Sequence, residues 1–248
     1  MNRRSVNYLS LLFAGMWGVL ITIGVGVYDL RAEDPEVSPS LHVTKPDQKQ
    51  LTPELEKIVH ELQATYQKIQ TYRADFSQET ASKILPNKRE SSGYIMFKKP
   101  GRMRWIYQTP RQQEVVLQPD RIYIYLPKEN QVMTKSVQDY LSGITPTKFL
   151  MGVGNLKEDF TVSLIAGPKD DKNTYHLHLT PKEEKSQLKQ LEIWISKKDF
   201  LIEQTESVDF MENWTRIRFS SQEINPDLPE SLFFFQIPKD AEILNDSF

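Results

Sequence analysis

From position 72 onward the chain reads with a period of two, and that limits the folds open to it more than any other feature. Tyr72, Ala74 and Phe76 alternate with Arg73, Asp75 and Ser77. Gly93, Ile95 and Phe97 alternate with Tyr94, Met96 and Lys98. After the turn Lys99-Pro100-Gly101, Met103, Trp105 and Tyr107 alternate with Arg102, Arg104 and Ile106. Val115, Val116 and Leu117 form a short apolar run, Pro119-Asp120 makes a turn, and Ile122, Ile124 and Leu126 alternate with Tyr123 and Tyr125. Past the turn Lys128-Glu129-Asn130, strands are expected over residues 131–137, 160–165, 175–180, 188–196, 201–209, 214–220 and 233–237. Short strands separated by tight turns describe an antiparallel meander. The fold class is therefore mainly β with helices.

One helix precedes the strands. Thr52 is an N-cap, Pro53 suits the first helical position, and Glu54 lies at the positive end of the helix dipole. Leu55, Ile58, Val59, Leu62, Tyr66 and Ile69 then recur at helical spacing, which predicts one apolar stripe ending near residue 71. Residues 145–155, with Phe149, Leu150, Gly152 and Gly154, lack strand alternation and read as a short helix on a loop.

Several strands are apolar or aromatic on both faces: Ile122 and Ile124 against Tyr123 and Tyr125, Leu191, Ile193 and Ile195 against Trp194, Phe233 and Phe235 against Phe234. An antiparallel sheet with one wet face alternates cleanly. The pattern fits a sheet covered by a helix on one face and lining an apolar cavity on the other. It fits a sandwich or small closed barrel with a dry core equally well.

The N-terminus reads as an export segment. Arg3 and Arg4 precede an uncharged run over residues 9–27, and Asp29 is the next charge. Cleavage after Ala32 is expected, although Leu30 is a poor fit to the small residue usual two positions earlier, and the run is close to the ~20 residues that span a bilayer. Either outcome puts the folded part outside the cytoplasm. Residues 33–51, broken by Pro35, Pro39 and Pro46, read as a flexible linker, and residues 52–248 as the folded domain.

Little chemistry is encoded. The absence of cysteine excludes disulfides, thiolate zinc sites, Cys nucleophiles and a lipidated N-terminal Cys. No G-x-S-x-G or phosphate-binding loop is present. His176 and His178 share a strand face, as paired ligands would, but opposite the apolar Tyr175, Leu177 and Leu179, so solvated histidines are expected rather than a metal site. Lys98, Lys99, Arg102 and Arg104 interleave with Trp105 and Tyr107, yet a net charge of -2 and an exported chain argue against nucleic acid. No catalytic residue, metal or cofactor is expected.

The stretch from Met96 to Trp105, with Tyr107, Pro110, Val115-Val116 and Ile122-Tyr123-Ile124-Tyr125, resembles the outer-membrane lipoprotein carrier (LolA) family. So do the helix leading into Ala74-Asp75-Phe76-Ser77-Gln78, the segment with Leu141, Thr145-Pro146, Phe149-Leu150 and Asn155, and the closing Phe235-Gln236-Ile237-Pro238-Lys239-Asp240. The resemblance covers about residues 52–248.

It implies a strongly curved, incomplete antiparallel barrel, lidded by helices and enclosing an apolar cavity for acyl chains. It implies a periplasmic, monomeric carrier without enzymatic activity. Such a carrier takes acylated lipoproteins from an inner-membrane ABC transporter and delivers them to an outer-membrane acceptor. Lys99 stands where the family has a basic residue, usually Arg, that bonds the lid; with Lys here, lid control is expected to be either weaker or shared with Lys98. Phe97, Trp105, Tyr107, Tyr123, Tyr125, Phe149 and Leu150 match cavity positions, and Met103 a position that meets partners.

The N-terminal run and the proline-containing arm exceed what a simple leader needs. Uncut, the eighteen-residue arm over 33–50 reaches only ~60 Å. The alternative expectation is thus a tethered or soluble domain that senses lipids or lipoproteins without shuttling them.

Overall fold

The computed structural model describes residues 52–82, 88–138, 155–165, 173–183, 186 and 188–245. The expected export segment, the linker, and Phe149 and Leu150 lie outside them.

Helix α1 spans Pro53–Lys68. Thr52 caps it, its Oγ1 accepting from the Leu55 N–H at 3.3 Å. The helix stops earlier than residue 71, with Ile69 already extended as C-cap, because β1 begins at Thr71. Leu55, Ile58, Val59, Leu62 and Tyr66 are buried along one stripe. Each such aliphatic side chain contributes about 1.5–3 kcal/mol on leaving water.

Among the described residues twelve strands form a single sheet: β1 Thr71–Ala81, β2 Arg89–Lys98, β3 Arg102–Thr109, β4 Gln113–Leu117, β5 Arg121–Leu126, β6 Gln131–Ser136, β7 Phe160–Ile165, β8 Thr174–Pro181, β9 Leu188–Ser196, β10 Ile202–Asp209, β11 Trp214–Ile224 and β12 Glu242–Asn245. Their order is β12-β6-β5-β4-β3-β2-β1-β11-β10-β9-β8-β7. Two meanders, β1–β6 and β7–β11, thus join where β1 pairs antiparallel with β11. A four-residue helix α2, Leu156–Asp159, leads into β7 and is capped by the Asn155 side chain.

The sheet is curved and open. Ile122 and Met133 near one edge share a single buried cluster with Val162, Leu177 and Leu179 near the other, and with the α1 stripe. A flat sheet of this width cannot bring those strands to one core. Curling is what lets one helix cover its concave side.

The chain end departs from expectation. Residues 233–237 are not a strand: Glu230–Phe233 is a 3-10 turn and residues 234–238 run without ladder pairing. Pro229 and Pro238 flank this stretch and cannot donate to a ladder. The last strand is β12, and it pairs parallel with β6, the one parallel pair among the described residues.

Residues 225–241 form a strap over the convex face. Met96, Leu228 and Phe233 make one buried cluster there; Val116, Val132 and Phe235 make another. The basic cluster of β2 and β3 holds the strap. Lys98 Nζ donates to the Leu228 carbonyl at 2.8 Å, Arg104 to the Leu232 carbonyl at 2.8 Å, and Arg102 to Glu230 at 3.2 Å. Of the strands apolar on both faces, β5 therefore has the core shared with α1 on one side and the strap on the other, whereas Trp194 of β9 stacks on His176.

Candidate functional site: the concave face beneath helix α1

Alternation along the strands decides which side chains reach the concave face. From β1 come Tyr72, Ala74 and Phe76; from β2, Ile95 and Phe97; from β3, Met103, Trp105 and Tyr107; from β9, Leu191, Ile193 and Ile195. All are buried in one cluster with the helix stripe. The aromatic rings touch. Tyr72 stacks on Phe97 with centroids 5.1 Å apart, and Phe76 lies 5.1 Å from Trp105 and 5.0 Å from Tyr107. The expected cavity residues Phe97, Trp105 and Tyr107 are thus brought together here.

Gly93 makes this packing fit. A Cβ at this position would sit 1.8 Å from the Ile106 carbonyl oxygen, so β2 and β3 approach closely only because it is glycine.

Tyr123 and Tyr125 were expected on the same wall but lie on the convex face. Their neighbours Ile122 and Ile124 take the concave side, and both tyrosine rings pack on Phe235 of the strap, at 5.2 and 5.7 Å. Met103, expected to meet partners, is buried in the concave cluster.

Lys99 and Lys98 part company. The turn between β2 and β3 sends Lys99 toward the end of α1, where its Nζ donates to the carbonyls of Tyr66 and, at 3.3 Å, Gln67. Its backbone N–H donates to the Gln70 carbonyl at 2.9 Å. A cation here meets the last, otherwise unpaired helix carbonyls and the negative end of the dipole. Burial holds the Lys99 ammonium below the usual lysine value of 10.5. Lys98 faces the other side and holds the strap, so it does not share this contact.

Tyr66 gives a second tie between helix and sheet: its hydroxyl accepts from the Ile202 N–H at 3.2 Å, and burial pushes its pKa up. A third is the Gln63 amide, which donates to Asn155 at 3.3 Å. Sequence reasoning found Lys99 but not Tyr66, Gln63 or Asn155. Tyr66 read only as one more apolar stripe position.

The convex face away from the strap is polar. Arg216 and Arg218 bridge Glu79, Glu206 and Gln204. His176 is not freely solvated as expected. It stacks on Trp194 at 4.1 Å and pairs with Glu192 at 2.9 Å, while His178 approaches the same carboxylate at 3.6 Å. Among the described residues no group of three or more metal-ligating side chains converges. A groove of about 830 Å³ beside β10 and β11 is lined mainly by polar side chains, Asp199, Glu203, Gln204 and Arg218 among them, together with Trp194, Leu201 and Phe219. No helix among the described residues is long and apolar enough to cross a membrane.

An open, curled antiparallel sheet, with a stripe-faced helix over its concave side and aromatic rings beneath, defines a half-barrel with a helical cover. The fold is shared with an uncharacterised conserved protein of Thermus thermophilus, at TM-score 0.52 and 12% identity over 77% of this chain and 99% of that one. The family model described as outer membrane lipoprotein carrier protein LolA matches residues 67–236. An outer-membrane lipoprotein carrier protein of Cupriavidus pinatubonensis is 34% identical over 62% of this chain and 70% of its own length. One of Nitrosomonas europaea is 30% identical over 76% of this chain and 89% of its own. The chain belongs to the outer membrane lipoprotein carrier (LolA) family, a family of carriers rather than of enzymes.

Proposed function

We propose that this chain binds the acyl chains of lipoproteins between α1 and the concave face, and carries them through the periplasm. It takes them from an inner-membrane ABC transporter and passes them to an outer-membrane acceptor. The observation that carries the reading is the single apolar cluster shared by the helix stripe and the curled sheet, in a chain whose relatives are named as lipoprotein carriers.

The physical requirement is simple. Each buried methylene contributes ~0.8 kcal/mol, so a lipoprotein with several long chains faces tens of kcal/mol against crossing water. A carrier must supply comparable burial and then release it. Swinging α1 away would open the concave face, and an opening that differs in affinity from the closed form accomplishes release without chemistry. Besides burial of the apolar stripe itself, the polar ties that resist this swing among the described residues include Lys99 and Tyr66 at the C-terminal end and Gln63 on Asn155. Lys99 is thus the latch of a lid formed by α1.

The test is release of a lipoprotein from transporter-bearing inner-membrane vesicles in the presence of the purified chain. A soluble complex that forms with the acylated cargo, and not with the same cargo lacking its lipidated cysteine, is expected. Absence of any soluble complex would refute the carrier role.

A further inference from the structure

The concave face is not apolar throughout. A seam of hydrogen-bonding side chains crosses it where β1, β11 and β10 run side by side. Thr80 faces Thr215 across β1 and β11, Thr215 faces Ser207 across β11 and β10, and one step along the strands Gln78 faces Ile217 and Ile217 faces Thr205. Gln78, Thr205, Ser207 and Thr215 are all buried.

Most of the seam is internally satisfied. The Tyr107 hydroxyl donates to Gln78 Oε1 at 3.0 Å, and Gln78 Nε2 donates to Thr80 Oγ1 at 3.2 Å. The Thr80 and Thr215 hydroxyls lie 3.5 Å apart, and the Ser207 hydroxyl donates to the Thr215 carbonyl at 3.5 Å. Two groups are left out. Trp105 is 2% exposed and Thr205 3%, yet the indole Nε1–H and the Thr205 hydroxyl find no partner among the described residues.

Buried polar groups are nearly always paired, so two orphans on the face of a binding site ask for an absent partner. The indole N–H only donates, and a threonine hydroxyl donates as well as accepts. A bare hydrocarbon chain answers neither. A carbonyl oxygen answers both.

Resting on the carrier reading, we propose that Trp105 and Thr205 hydrogen-bond the carbonyl oxygens at the heads of acyl chains. The pocket thereby takes acyl esters and amides in preference to plain alkyl chains. Tyr107 and Gln78, already bonded to each other, stiffen the seam beside them.

Two matched probe pairs test this on the full chain: a diacyl-cysteine lipopeptide with its dialkyl-ether counterpart, and a diacyl phospholipid with its dialkyl-ether counterpart. In the wild type the ester lipopeptide should bind about tenfold more tightly than the ether, the gain of one good hydrogen bond. In Thr205→Val and in Trp105→Phe that ratio should fall toward one. Thr205→Val removes an unpaired hydroxyl, so it should also raise the melting temperature of the ligand-free protein, an effect that separates it from simple damage to the fold.

Equal binding of ester and ether in the wild type overturns the proposal and leaves the carrier reading intact. A preference that survives in both variants overturns the assignment to these residues. A preference confined to the phospholipid pair supports the carbonyl subsite and contradicts lipoprotein cargo. Failure of all four probes to bind overturns both readings.

Discussion

Lys99→Met removes the ammonium but keeps most of the apolar stem, so it tests the latch with little loss of packing. The wild-type Nζ donates to two carbonyls in the last turn of α1. Hydrogen bonds from a charged donor contribute about 1.5–3 kcal/mol each, and a cation at a helix C-terminus about 0.3–1 kcal/mol. The Gln67 contact is long at 3.3 Å and exposed, so it is counted as nothing, and the Tyr66 bond is taken at the lower end, about 1.5 kcal/mol, with about 0.5 kcal/mol for the dipole. A combined loss of about 2 kcal/mol corresponds to a roughly thirtyfold rise in the population with α1 undocked. Amide hydrogen exchange should therefore speed up by about that factor across residues 62–68, while the sheet stays protected. Dissociation of a bound acyl probe should accelerate with it. Lys99→Arg, whose forked guanidinium reaches both carbonyls, should restore slow exchange. A folded Lys99→Met protein with unchanged exchange in α1 and unchanged dissociation would refute the latch.

Three further outcomes follow from the packing. Gly93→Ala drives a methyl group into the Ile106 carbonyl and should cost about 3 kcal/mol or more in urea unfolding, since strand backbone must move. Phe235→Ala should lower stability by about 3 kcal/mol while leaving acyl-probe affinity unchanged, because Phe235 and its partners Tyr123 and Tyr125 lie on the convex side. Glu79 is held below its ordinary value of 4.5, first by the hydrogen bond from Arg218 and then by the Arg218 and Arg216 charges. A lowered folded pKa contributes stability that is present above pH 4.5 and is lost as pH falls through the folded value. Glu79→Gln should flatten the acid limb of a stability profile by about 0.5 kcal/mol, the modest size of a solvent-screened pair.

How much of this was legible in the sequence depends on how local the deciding interaction is. The cap at Thr52, the helix stripe and the strands from β1 to β11 follow from periodicity and turn residues, which act over a few positions. Phe97, Trp105 and Tyr107 were legible as one face because alternation fixes them relative to each other. The two-faced strands were harder to read. Tyr123 and Tyr125 meet Phe235 more than a hundred residues later, and no local pattern shows that a strap, rather than a cavity, covers them.

The misread last strand has the same origin. Phe233 and Phe235 bury in two separate clusters on the convex face while Phe234 stays 72% exposed, which is alternation without a ladder. Lys98 and Lys99 are adjacent and alike in sequence. Strand alternation sends Lys98 to the strap side, and the turn that follows β2 carries Lys99 to the end of the helix, where its backbone N–H bonds the Gln70 carbonyl. His176 and Glu192 sit on neighbouring strands, and their pairing depends on a register that sequence alone does not give.

The most direct test of the account is to place the acyl chains themselves. A lipopeptide carrying a photoreactive diazirine in its acyl chains, crosslinked to the purified chain and mapped by mass spectrometry, should label the α1 stripe and the concave face. Adducts are expected on Ile58, Leu62, Phe97, Trp105 and Ile193. Adducts confined to the convex face, at Tyr123 or Tyr125, or to the exposed Phe210 in the turn after β10, would contradict the claim that the ligand lies beneath the helix.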